Sequence, residues 1–187
     1  MGFRILRKFP FPLNLGTDIC NVNRIRRILE SSRGVRFVQR ILNDDERGHP
    51  KIQCILNNGP PQSVRQSAKS PGPTIEHHTN VAAAHGKNPS PSKPTPNLDE
   101  MQLAATFMAG RFAAKEAVIK AHPQRNLTWH GITISHQTST HADRKGAPAA
   151  IIKGTNEDYE ALISISHDGD YATAVCLGAQ QASQAGD

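Results

Sequence analysis

The chain has 187 residues, 20% of them charged and only 5% aromatic, which leaves room for one full core, or for a core of about 120 residues plus a stretch that buries little. Three cysteines, Cys20, Cys54 and Cys176, form no CxxC pair, so neither a disulfide framework nor a four-ligand zinc site is indicated, and a reducing compartment is expected. A formal charge of +6 predicts an acidic partner, while the lack of interleaved aromatics argues against nucleic acid and the lack of an apolar run near 18 residues argues against a membrane span.

The first twelve residues carry Arg4, Arg7 and Lys8 and no acid, with Phe3, Ile5, Leu6, Phe9 and Phe11 between them. They read as a basic tail or a short targeting segment of the mitochondrial kind, broken by Pro10 and Pro12. Mitochondrial location is the expectation, with the cytoplasm as the alternative. Residues 13–19 alternate apolar and polar positions as a short strand does. Asp18 then has two uses open to it. It is either the N-cap of a following helix or, given a second carboxylate nearby in space, a metal ligand.

Val22, Ile25, Ile28 and Leu29, then Phe37, Val38, Ile41 and Leu42, recur at helical spacing and predict helices over 21–28 and 35–42, with a break at 31–34. Arg24, Arg26, Arg27, Arg33, Arg36 and Arg40 crowd into seventeen residues off those apolar stripes. They form either a solvated face or a docking surface for an acidic partner. Asn43-Asp44-Asp45-Glu46 suits the start of a further short helix.

Between Pro50 and Pro96 lie nine of the thirteen prolines and one acid, Glu76. Apart from a brief apolar run over 52–56, such a segment cannot offset its ordering entropy, and residues 50–96 are expected to form a disordered insertion. His77, His78 and His85 within it lack the Cys or carboxylate spacing of a metal site.

A long helix is predicted from an Asn97 cap to Ala121, with Asp99 and Glu100 at the positive end of its dipole and His122-Pro123 as its stop. Leu103, Phe107, Ala114, Ala117, Val118 and Ala121 give a buried stripe, and Phe112, Glu116 and Lys120, four apart, a second line. A Glu/Lys pair at this spacing is ordinarily a surface ion pair worth about 0.3–0.5 kcal/mol. The surrounding Ala113, Ala114 and Ala117, however, would let other backbone or a ligand approach. Residues 129–135 and 149–152 then read as strands joined by a polar turn region over 143–148. Residues 161–167 and 171–177 read as a hairpin bending at Asp168-Gly169-Asp170, and 179–187 as a polar tail.

Five segments, in this order, carry a family pattern: Gly16-Thr17-Asp18-Ile19; Phe37 with Arg40-Ile41-Leu42; Ala109-Gly110-Arg111-Phe112-Ala113-Ala114-Lys115-Glu116 with Lys120-Ala121; Gly146 with Pro148; and Ser164-Ile165-Ser166-His167. Together they resemble the holo-acyl carrier protein synthase type of phosphopantetheinyl transferase over residues 13–49 and 97–178, and fungal mitochondrial members in particular. The resemblance implies a single α+β domain over 13–178, a long helix packed on a small antiparallel sheet, with the insertion standing where the family has a short connection. It implies transfer of the 4′-phosphopantetheine arm of coenzyme A to a serine of an acidic apo-acyl carrier protein, releasing adenosine 3′,5′-bisphosphate, as fatty acid biosynthesis requires. It also implies a possible homotrimer with sites at its interfaces.

By the same resemblance, Asp18 and Glu116 match two carboxylates for Mg²⁺, a cation that binds through few carboxylates plus phosphates and water. Lys120 matches a contact to the diphosphate, and Arg111, Phe112, Ser166 and His167 match the coenzyme pocket. Glu116, directly or through a metal-bound water, is favoured over His167 as proton acceptor. Thr133-Ile134-Ser135-His136 imitates the last motif, but position relative to the final strand selects His167. Arg24, Arg33, Arg36 and Arg40 are the expected carrier-docking residues. One departure is His122-Pro123-Gln124-Arg125, where the family often has a Gly-containing turn. The alternatives are a carrier-binding module without catalysis and a basic RNA-associated protein, the latter marked by steep salt dependence of binding.

Overall fold

The structure of the chain is a computed structural model that describes residues 10–58, 96–136 and 146–179. Alternation builds β1 (Leu13–Asn21), in which Gly16 and Cys20 turn inward while Leu15, Thr17 and Ile19 face out. Asn21 ends the strand and caps α1 (Val22–Glu30), its side chain accepting from Arg24 N at 2.9 Å. Asp18 is therefore not the cap, because it stands three residues too early, inside the strand. A turn leads into α2 (Gly34–Ile41), and Asn43 and Glu46 form the capping box of α3 (Asp44–Arg47).

Ordered structure does not stop where the composition changes. Residues Pro50–Asn58 form a helix, α4, whose Ile52 and Ile55 lie three apart on one face and are fully buried. The expected insertion thus begins later than Pro50, because two well-placed isoleucines outweigh the surrounding polar residues. The remainder, 59–95, with its three histidines, lies outside the described residues, as do 1–9, 137–145 and 180–187.

Helix α5 (Leu98–Ala121) opens on a second capping box, with Asn97 Oδ1 accepting from Glu100 N at 2.7 Å and Glu100 Oε2 from Asn97 N at 3.0 Å. Its 24 residues run about 36 Å across the sheet. Residues Trp129–Gly131, expected as strand, form a single 3₁₀ turn instead, because Thr128 Oγ1 accepts from Gly131 N at 3.2 Å and curls the chain. The strands β2 (Ile132–His136), β3 (Pro148–Ile152), β4 (Tyr159–Asp168) and β5 (Tyr171–Ala179) follow. All pairings are antiparallel in the order β1-β5-β4-β3-β2, so the first strand closes against the last. The β4–β5 hairpin bends at Gly169-Asp170 with Gly169 at φ +50°, as tight hairpin loops require, and β5 extends into Ala179, one residue past the expected domain end.

The sheet meets α5 backbone to backbone. A Cβ on Gly16 would stand 1.9 Å from Ala117 O, and one on Gly178 2.7 Å from Ala121 O. The alanines of α5 accordingly receive strands, and Ala113, Ala114, Ala117 and Ala121 have no exposed surface. The expected stripe needs one correction. Leu103 is 54% exposed, and the largest fully buried side chain among the described residues is Lys115.

Lys115 is tolerated in the core because each proton has an acceptor: Ile41 O and Trp129 O, both at 2.8 Å, and Glu46 Oε2. Glu46 is itself buried, and its other oxygen accepts from Ile134 N of β2 at 3.1 Å. Burial pushes the Lys115 ammonium below its ordinary pKa, and the Glu46 carboxylate works against that shift. Lys115→Met strands the carboxylate in the core and is expected to cost about 3–5 kcal/mol in urea unfolding. A loss under about 1 kcal/mol, the range of exposed pairs, would contradict the buried pair.

Candidate active site

Asp18 reaches the far half of α5 because the Gly16 contact lays β1 against Ala117 and Ala121. Lys120 Nζ donates to Asp18 Oδ1 at 2.8 Å and to Thr17 O at 2.9 Å. The i, i+4 pair of Glu116 with Lys120 is therefore not the ion pair that forms. Lys120 turns to the strand, with its side chain 51% exposed and that of Asp18 only 17%. Glu116 is half-buried and takes the indole N–H of Trp129 on Oε1 at 2.7 Å. Two carboxylates and one ammonium thus lie on the packed pair β1 and α5.

A second feature lies about 7.5 Å nearer the start of α5, counted from Glu116 back to Arg111 at 1.5 Å per residue. Here His49, Lys51, Phe107, Arg111, Pro148 and His167, with Thr106, Gly110 and Ile165, line a groove of about 470 Å³. Arg111 is buried, its guanidinium 4.7 Å above the Phe107 ring, and its Nε lies 4.0 Å from Glu46 Oε1 without a hydrogen bond among the described residues. Burial holds its pKa below the ordinary guanidinium value, with Glu46 opposing. His167 lies against Gly110, where an added Cβ would stand 2.8 Å from Nε2. Arg111 and His167 both line this groove.

Two other expected pocket residues are not in this groove. Phe112 stands on the next face of α5, in a cluster with Phe37 at 6.4 Å and Trp129 at 6.1 Å between ring centroids. Ser166 alternates with His167 along β4 and so falls on the opposite sheet face, paired with Thr173. His49 and Lys51 are groove residues that the sequence reading missed. His49 stacks on Phe107 at 4.2 Å, and its place depends on α4, which composition had concealed.

Of the four arginines expected to dock a carrier, Arg33, Arg36 and Arg40 line one cleft of about 610 Å³ with Ile28 and Phe37 at its apolar wall. Arg24 stands apart, its guanidinium 5.7 Å from the Phe112 ring centroid and 3.5 Å from Cys20 Sγ. Arg40 also lies 5.0 Å over the Trp129 ring, so the cleft borders the side chain that holds Glu116.

Comparison with known proteins adds the family. No protein-family model matches the chain. It is 32% identical over 180 residues to the mitochondrial 4′-phosphopantetheinyl transferase B of Aspergillus fumigatus, covering 91% of this chain and 96% of that protein. It is 39% identical over 92 residues to the holo-[acyl-carrier-protein] synthase of Corynebacterium efficiens, covering 39% of this chain and 61% of that one, less than two thirds of its length. Among solved structures, the holo-ACP-synthase of Plasmodium yoelii superposes with a TM-score of 0.49 at 20% identity, covering 88% and 91% of the two chains. The chain is a member of the transferase class, and it belongs to the 4′-phosphopantetheinyl transferase family that includes the holo-acyl carrier protein synthases.

The two glycines of the site predict opposite outcomes. Gly16→Ala forces backbone from backbone and is expected to lower stability by about 3 kcal/mol, the upper end of overpacking costs. Gly110→Ala meets only a movable ring, so stability should change by less than about 1 kcal/mol while the His167 Hε1 resonance shifts. An unmoved resonance would contradict the contact.

Proposed function

We propose that this chain transfers the 4′-phosphopantetheine arm of coenzyme A to a serine hydroxyl of an acidic apo-acyl carrier protein, with Mg²⁺ as cofactor. The observation that carries the reading is the junction of Asp18 and Lys120 beside Glu116 on β1 and α5. The donor set fits Mg²⁺: two carboxylates supply hard oxygens, and Asp18 already neutralises a cation. Asp18 and Glu116 would hold the ion, which when bound supplies charge neutralisation on the diphosphate.

The residues then divide the work. Lys120, exposed on a flexible stem, moves from Asp18 to a phosphate oxygen as a point charge. Glu116 has about four acceptor sites on its two oxygens and uses one for Trp129, so it can also take the serine proton. The serine oxygen forms a bond to the phosphorus that bears the pantetheine, the bond from that phosphorus to the bridging oxygen breaks, and adenosine 3′,5′-bisphosphate leaves. Lys51 and Arg111 give the groove a cationic lining for the nucleotide phosphates, His167 adds ring nitrogens for hydrogen bonding, and Phe107 and Pro148 give it apolar surface.

The cleft between Arg33, Arg36 and Arg40 is the proposed carrier-docking surface, with Arg24 contributing through its place beside Phe112. The outer sheet face carries Leu15, Leu177 and Leu162 in one cross-strand row, all exposed, with Ile19 and Val175 beside them. A second and third copy of the chain are the proposed cover, giving a homotrimer and returning Ser166 to a contact. The name of the Aspergillus relative favours the mitochondrion, and the reaction favours a role in fatty acid biosynthesis.

Incubation with coenzyme A, Mg²⁺ and an apo carrier protein, read by intact mass, is expected to show one phosphopantetheine added. Asp18→Asn and Glu116→Ala should each lower kcat about a hundredfold or more without unfolding the protein. Full activity in either variant would overturn the metal roles. Charge reversal at Arg33 and Arg36 should raise the KM for carrier about tenfold and leave that for coenzyme A unchanged, whereas equal effects on both would remove the docking role.

A further inference from the structure

Trp129, the chain's single tryptophan, is gripped at both ends by consecutive residues of α5. Its carbonyl accepts from Lys115 Nζ at 2.8 Å, and its indole Nε1–H donates to Glu116 Oε1 at 2.7 Å. The Lys115 end is fixed, since that ammonium is fully buried and its remaining protons are taken by Ile41 and Glu46. The ring itself is packed between Phe112 and the Arg40 guanidinium.

A half-buried indole N–H needs an acceptor, but any carbonyl would satisfy it. The acceptor found is instead a carboxylate, which makes the bond charge-assisted and directional. Trp129 is also the only hydrogen-bond partner of the Glu116 carboxylate among the described residues, since Lys120, one turn on, is engaged with Asp18. A glutamate side chain has three rotatable bonds, and among the described residues this hydrogen bond is the one that restrains its end.

We propose that Trp129 is a positioning residue for the transfer reaction: its indole N–H, anchored through Lys115, holds one Glu116 oxygen and leaves the other for the metal and the incoming hydroxyl. The inference rests on the transferase reading above. It assigns the 3₁₀ turn a role that residue identity at the two carboxylates does not reveal. It also places Arg40 of the docking cleft on the ring that orients the carboxylate.

Trp129→Phe removes the N–H and keeps an aromatic face for Arg40 and Phe112. In the full chain it is expected to unfold within a few degrees of wild type and to bind Mn²⁺, followed by electron paramagnetic resonance without substrates, about tenfold more weakly. The kcat should fall by about the same factor, and the KM for carrier should hold. In the wild type, Mn²⁺ should quench the single tryptophan with the midpoint seen by resonance, a readout that stands even if the variant fails to fold. Wild-type Mn²⁺ affinity and kcat in Trp129→Phe, or unquenched wild-type emission at saturating Mn²⁺, would overturn the proposal. A wild-type chain that binds no Mn²⁺ and transfers nothing overturns the underlying reading as well, which separates the two failures.

Discussion

A lysine without exposed surface sets the geometry of this protein. Lys115 is worth burying only if all three of its protons find acceptors, and the acceptors lie on three different segments: the end of α2, the short α3 and the 3₁₀ turn before β2. Glu46 extends the tie to β2 through Ile134. One ion pair thus fixes where the helices of the first half meet the strands of the second. Its neighbour in sequence, Glu116, is rotated about 100° around the helix axis and so lands at the edge of the same cluster. The Lys-Glu dipeptide works as a unit, with one residue locking the scaffold and the next offering a carboxylate.

The other half of the site comes from close approach. Helix α5 meets β1 and β5 through glycine and alanine, so two backbones touch where larger side chains would hold them apart. That contact brings Asp18, far away in sequence, onto Lys120. The groove near Arg111 uses the same economy, with Gly110 making room for the His167 ring. Small residues along α5 bring both the strand and the groove wall within reach of its charged side chains.

Much of this was legible beforehand. The Asn97 cap, the helix end at His122, the hairpin at Gly169 and the paired helices around Ser31 all follow from local chemistry, and local chemistry decided them. The fold class and family were readable because five spaced motifs coincide. What escaped reading were decisions made by tertiary contacts. A buried Lys115 looks like a surface residue until Ile41, Glu46 and Trp129 converge on it. Leu103 looks like core until its face of α5 is seen to line the open groove, while Met101, Ala104 and Ala105 on either side of it are buried. Pro50 begins a helix because Ile52 and Ile55 find α5, against a composition that spoke for disorder, and with α4 came His49 and Lys51. Trp129 has the pattern of a strand residue, but its carbonyl and its indole N–H are both bonded to α5. Ser166 shows the limit of transferring a motif: strand alternation puts it on the other face from His167 within one chain.

The proposed function depends on Asp18 and Glu116, held on β1 and α5, forming one metal site beside the groove lined by Arg111 and His167. Crystals grown with coenzyme A and Mn²⁺ test it most directly, through the anomalous signal of the metal. The expected result is one Mn²⁺ bound to carboxylate oxygens of both Asp18 and Glu116, Lys120 moved from Asp18 to a phosphate, and the nucleotide phosphates against Arg111 and His167. Mn²⁺ bound elsewhere, or a bound coenzyme with Lys120 still seated on Asp18 and no metal between the carboxylates, would contradict it.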